Sequence, residues 1–198
     1  MKLYVTPASP FARMARIVVI ETNLGARVEV IAAQTRTADS PYYRINPSGR
    51  VPYLVRDDGA GMEESELICA YLGQPEFAIP GSDAWEERRL YGFARSMVDG
   101  VSVWNRELAR PENERSPTII RHEMARAGRM AYLWEKEIPS LLMHAPFNLL
   151  QLTLACCLGL EARNPEFRWR DGNPKLAAWF EAIARRPSFV ATAPTAPL

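Results

Sequence analysis

The stretch Asn46-Pro47-Ser48-Gly49-Arg50-Val51-Pro52-Tyr53-Leu54, followed by Glu63-Glu64-Ser65-Glu66-Leu67-Ile68-Cys69-Ala70-Tyr71-Leu72, decides how the chain is read. Pro52 follows β-branched Val51 and opens a β-rich run, PYLVR; a proline is tolerated there because its missing N–H need not join a ladder. Taken alone, an X-Pro bond is cis only ~5% of the time. The run ends in a turn, Asp57-Asp58-Gly59-Ala60-Gly61. A helix then begins with acids in its first turn, which the helix dipole favours.

Working upstream, Lys2–Val5 and Arg27–Ile31 are short β-rich runs. Between them Arg13–Gly25 carries apolar residues at helical spacing and ends on Gly25, a helix stop. This is a βαβ unit, joined to the central stretch by a polar loop from Thr35 to Arg50. The predicted order is β-α-β-loop-β-β-α. Downstream of Ser82 the strand signal ends. Leu90, Ala94, Met97, Val101, Trp104 and Leu108 fall on one helix face, and Ile120, Met124, Ala127, Ala131, Trp134 and Ile138 on another. The breaker RPENERSP between them predicts an antiparallel helix pair. A third apolar helix over Asn148–Leu160 and a fourth over Pro174–Arg185 complete a bundle. The chain therefore divides into an α/β domain over residues 1–74, a linker over 75–83 and an all-α domain over 84–198.

Composition narrows the function. With 24 Lys+Arg against 23 Asp+Glu in 198 residues and a net charge of +1, the chain lacks the basic footprint of a nucleic-acid binder. Cys69, Cys156 and Cys157 form neither a disulfide framework nor a zinc pattern, so no metal is expected and a reducing cytoplasm is. The first residues, MKLYVTPASPF, lack the apolar region of a signal peptide. The most apolar run, Leu149–Leu160, falls well short of the ~20 residues needed to cross a bilayer.

Ser9 precedes Pro10 where the first strand meets the first helix, the arrangement of an N-cap with proline at the first helical position. A hydroxyl there also sits in the positive end of the helix dipole and can donate to an anion. A Ser-His-Asp hydrolase is disfavoured: His122 and His144 lie in the helical part, and no G-x-S-x-G is present.

Together, in this order and spacing, SPFARMARIVVIE, NPSGRVPYL, ESELICAYL and the near-terminal NPKLAAWFEAIARRPSF resemble the cytosolic glutathione transferases, in their serine-type, bacterial-like form. The resemblance implies a thioredoxin-like N-terminal domain, βαβ-ββα, plus an all-α C-terminal helical bundle. It implies a cis Val51-Pro52 bond. Glutathione would be the co-substrate: Val51, ahead of Pro52, presents its backbone to the cysteinyl part, Glu64 and Ser65 hold the γ-glutamyl end, and Arg50, with Arg36, neutralises the glycyl carboxylate. Ser9 takes the position that activates the thiol. Thr6 is the competing hydroxyl, but Ser9 directly precedes Pro10-Phe11, as the family's catalytic residue does.

The same resemblance implies a small hydrophobic electrophile as second substrate, bordered by Phe11, Met97, Val101 and Trp104, a role in detoxification, a homodimer and a cytoplasmic location. Three readings follow: conjugation, isomerisation or dehalogenation of one metabolite with glutathione regenerated, and a non-catalytic interaction module on the same fold. One departure stands out. The family's sixth helix usually opens Ser/Thr-x-x-Asp, and here the equivalent is Asn148-Leu149-Leu150-Gln151, in which Asn caps and Gln completes a capping box.

Overall fold

A computed structural model of the chain describes residues 1–79, 81 and 84–194. Residues 80, 82 and 83 of the expected linker lie outside the described residues. The chain forms two compact units, Met1–Ile79 with Pro187–Leu198, and Pro80–Arg186.

The first unit is built on β1 (Lys2–Val5), α1 (Pro10–Glu21), β2 (Glu29–Ala32), β3 (Tyr53–Val55), β4 (Gly61–Met62) and α2 (Ser65–Leu72). The strands lie in the order β2-β1-β3-β4, with β1 parallel to β2 and β3 antiparallel to both β1 and β4. A parallel pair needs a crossover, and α1 supplies it. Strand alternation sends Leu3, Val5 and Leu54 inward to complete burial, where α1 contributes Met14, Ile17 and Val18 and α2 contributes Ile68 and Cys69. This is the predicted βαβ-ββα arrangement.

Helix α1 begins at Ser9, whose Oγ accepts from Ala12 N at 3.1 Å, with Pro10 in its first turn. Its end differs from the expectation at Gly25. The helix stops at Glu21, and Asn23 takes the left-handed conformation at φ 56°. Asn23 N donates to Ile20 O and Leu24 N to Val19 O, a Schellman motif that satisfies the final carbonyls before Gly25 is reached. Asparagine tolerates the left-handed region well enough to do what glycine does.

The last described helix, α7 (Pro187–Ala191), belongs with this unit. Arg13, buried on α1, donates Nη2 to Phe189 O at 3.0 Å and Nε to Thr192 Oγ1 at 3.4 Å, with its guanidinium 5.0 Å from the Phe189 ring centre. Ser188 Oγ donates to Glu21 Oε1. Helix α7 and the residue after it are thus anchored on α1.

The second unit comprises α3 (Trp85–Leu108), α4 (Pro117–Glu137), α5 (Leu149–Leu158) and α6 (Pro174–Ala184). Arg89 meets Glu137, Ser96 meets Arg126 and Gly100 meets Glu123, so α3 and α4 run antiparallel. The first apolar stripe is buried from Leu90 to Trp104. The second is buried only from Ala127 to Ile138, while Met124 remains 40% exposed. Every residue of α5 is buried, so its sequence carries no amphipathic period and it forms the axis of the bundle. Cys156 and Cys157 pack there as small apolar groups, and burial pushes the Cys157 thiol well above its ordinary range. No helix among the described residues is long and apolar enough to cross a membrane.

Candidate functional site

Strand directions bring the motifs together. β1, β2 and β4 run one way and β3 the other. The exits of β1, β2 and β4 therefore share one end of the sheet with the entry to β3. These exits are the loops carrying Thr6–Ser9, Arg36 and Glu63–Ser65; the entry is Asn46–Pro52. Tyr4 pairs with Tyr53, and continuing that register by two residues sets Val51 opposite Thr6.

The entry loop is held by its own side chains. Asn46, 2% exposed, accepts from Ser48 N through Oδ1 at 3.1 Å and donates Nδ2 to Arg50 O at 3.0 Å. Tyr42 Oη donates to the same Arg50 carbonyl at 2.5 Å, and burial pushes its phenol pKa up. Arg50 N donates to Ser48 Oγ at 3.2 Å. Gly49 is required twice over: its φ is +67°, and a Cβ there would lie 2.7 Å from the Tyr43 ring. The Val51-Pro52 bond is cis.

All this holds the N–H and C=O of Arg50 and leaves those of the next residue open. Among the described residues, neither the N–H nor the C=O of Val51 has a hydrogen-bonding partner. An adjacent N–H and C=O left open on half-buried Val51 are what an extended peptide requires for strand-like pairing.

The start of α2 is open in a second way. Glu64 stands at the N-cap with φ 72° and ψ 119°, a conformation costly for any residue with a Cβ, and no side chain caps the first turn. Ser65, 3% exposed, is the first helical residue. Uncapped N–H groups at a helix start favour an anion. Arg50 and Arg36 are exposed, and among the described residues neither guanidinium has a partner.

Ser9 fills the N-cap and retains a hydrogen to give. Its oxygen accepts from Ala12 N while the hydroxyl O–H points to no protein acceptor among the described residues, so the capping and donor readings coexist in one side chain. The expected pocket residues fall in different units. Phe11 is half-buried on α1, whereas Met97, Val101 and Trp104 are each 1% exposed within the helical unit. Met97 and Val101 also border a narrow recess between α3 and α4, together with Gly100, Glu123 and Arg126. The Trp104 indole N–H is buried without an acceptor among the described residues.

Sequence reasoning assigned no role to Tyr42, Asn46, Ser48 or Glu63. The N-x-S-G spacing is the signal that could have found two of them, since Asn side chains bond their own backbone two residues on. Ser48 Oγ also donates to Glu63 Oε1 at 2.5 Å, a link across 15 residues that no local pattern announces.

Comparison with known proteins agrees with this architecture. The family described as Glutathione S-transferase, N-terminal domain, matches residues 3–77. The Escherichia coli (strain K12) protein described as "Uncharacterized GST-like protein YibF" is 28% identical over 201 residues, covering 98% of each chain. A glutathione transferase family member from Pseudomonas fluorescens Pf-5 superposes with a TM-score of 0.84 at 30% identity over 100% of both chains, in a crystal structure with bound S-(propanoic acid)-glutathione. The crystal structure of that family member with bound glutathione gives a TM-score of 0.86 at 29% identity, over 100% of this chain and 99% of that one. Likeness in sequence and fold along the whole length, with the motifs of the first unit gathered at one sheet end, shows that this chain belongs to the glutathione transferase family.

Proposed function

We propose that the chain binds glutathione at this sheet end and directs its thiolate sulfur onto a small hydrophobic electrophile, so that the intact glutathionyl group becomes bonded through sulfur and, with an aromatic halide, halide leaves. The observation that carries the reading is the open N–H and C=O of Val51, with the uncapped start of α2 at the same end of the sheet. Val51 N–H and C=O pair with the cysteinyl residue. The Ser65 hydroxyl and N–H meet the γ-glutamyl carboxylate while Glu64 meets its ammonium, and Arg50, assisted by Arg36, meets the glycyl carboxylate.

Ser9 donates its free hydrogen to the sulfur. A thiol of pKa ~8.5 is about 3% ionised at pH 7, and lowering it by ~2 units makes roughly three quarters of it thiolate. That shift requires ~2.7 kcal/mol, within the range of one hydrogen bond to a charged acceptor, ~1.5–3 kcal/mol, aided by the helix dipole. With serine rather than cysteine at this position, the reactive sulfur arrives with glutathione, and the product is a thioether. The Pseudomonas fluorescens relative holding S-(propanoic acid)-glutathione supports a site that accepts a substituted sulfur. Phe11, half-buried in the first turn of α1, borders the acceptor. The protein works as a cytoplasmic homodimer in detoxification, with no metal.

Calorimetric titration with glutathione, followed by turnover with a generic aromatic halide, tests the proposal. Binding with turnover is expected. Binding without it would overturn general conjugation in favour of a dedicated isomerase or dehalogenase, and the absence of binding would leave a non-catalytic module.

A further inference from the structure

Three side chains hold the peptide of one exposed residue, Arg50, and one of them reaches out of the loop. Ser48 Oγ accepts from Arg50 N at 3.2 Å and donates its hydrogen to Glu63 Oε1 at 2.5 Å. A hydroxyl has one donor and two acceptor positions, so the two bonds are compatible and polarise each other in the same sense. Glu63 stands one residue before Glu64 and two before Ser65, and Ser48 stands three before Val51. The bond therefore joins the two segments that the glutathione reading assigns to different parts of one ligand.

We propose that Ser48 and Glu63 are positioning residues, a clasp that sets the separation between the Val51 peptide and the start of α2 and so governs affinity for glutathione. The proposal rests on the glutathione reading above. Glutathione is a short peptide held at its middle and at both ends, so its fit depends on how far apart those holds are. Each segment taken alone is anchored locally: Asn46 and Tyr42 fix the Arg50 carbonyl, and the Ile68 N to Glu64 O bond at 3.0 Å begins α2. The Ser48–Glu63 bond is a side-chain link between them. The β3–β4 ladder, with Leu54 opposite Met62, joins the segments at their strand ends, and without the clasp the freedom that remains beyond the ladder must be ordered when the ligand binds, at a cost to affinity. The clasp touches no reacting atom. Ser9 belongs to a different loop, so the clasp acts on binding and leaves the chemical step alone.

The test is a double-mutant cycle on the full chain, read as glutathione Kd by calorimetry and as KM and kcat with an aromatic halide. Ser48→Ala and Glu63→Ala are each expected to raise Kd and KM about fivefold, equivalent to ~1 kcal/mol, with kcat at saturating glutathione within about twofold. The double variant is expected to be no weaker than either single one, because both remove the same bond. Ser48→Thr keeps the hydroxyl, Glu63→Gln keeps the accepting oxygen without the charge, and both are expected to retain wild-type affinity. Single variants that bind as wild type does, or losses that add in the double variant, would overturn the clasp while leaving the glutathione reading intact. A fall in kcat parallel to KM, with a lowered melting temperature, would mark a merely structural role and equally overturn it. Failure of the wild type to bind glutathione would overturn both.

Discussion

Two helix starts in this chain have been treated in opposite ways. At α5, Asn148 Oδ1 accepts from Gln151 N at 3.1 Å, and the Gln151 side chain, 2% exposed, donates to Ala145 O at 2.9 Å and Leu142 O at 3.2 Å. Each of these polar groups has a partner and the start is closed. At α2 no side chain caps the first turn, the residue at the cap is held at φ 72°, and the neighbouring Val51 peptide is unpaired among the described residues. A closed start contributes stability to the bundle, whereas an open, strained one keeps its donors for a ligand. The start of α1 combines the two, since the Ser9 oxygen caps while its hydrogen stays available.

Substitutions at these starts separate the two kinds. Ser9→Ala should have the largest effect, lowering turnover about 100-fold, as removal of one preorganised donor does, while glutathione Kd changes by less than about twofold. Steady-state kinetics with direct detection of thiolate by ultraviolet absorbance would check it, and an unaltered thiol pKa would refute the assignment. Gln151→Leu strands two carbonyls that now accept from the amide and should cost about 2 kcal/mol of stability in denaturant titration, with glutathione affinity unchanged. Glu64→Gly should do the reverse. Relief of the positive φ should stabilise the fold by about 1 kcal/mol, while loss of the carboxylate weakens glutathione binding. Asn148→Ala, the smallest change, should cost about 1 kcal/mol of stability through the lost cap and leave turnover as it is. A loss of binding from either α5 variant would erase the distinction between the two starts.

What could be read from sequence was what neighbouring residues decide. Ser9-Pro10 as cap and first turn, the turn at Gly59, the strand after Pro52 and the apolar stripe of α3 all follow from local preference and period, and the structure has each. Gly25 misled because Asn23, two residues earlier, already satisfies the end of α1. Gln151 was expected to complete a capping box, but carbonyls from the preceding segment, Leu142 and Ala145, take its amide instead. Ile120 and Met124 share the period of the α4 stripe, yet within that stripe burial begins only at Ala127, and period alone does not say how far along a helix burial extends. The resemblance named Val51, Glu64 and Ser65 from their motifs. That Val51 is unpaired and Glu64 strained depends on backbone geometry, and the Ser48–Glu63 bond depends on a pairing across 15 residues.

On the glutathione reading, the Val51 N–H and C=O are left open because glutathione closes them. Amide-resolved nuclear magnetic resonance of the wild-type chain during titration with glutathione addresses this directly. Glutathione is expected to give a saturable downfield shift of the Val51 N–H, accompanied by the Ser65 N–H and following the same binding curve. Saturation of the protein with glutathione while the Val51 N–H stays in place would contradict it.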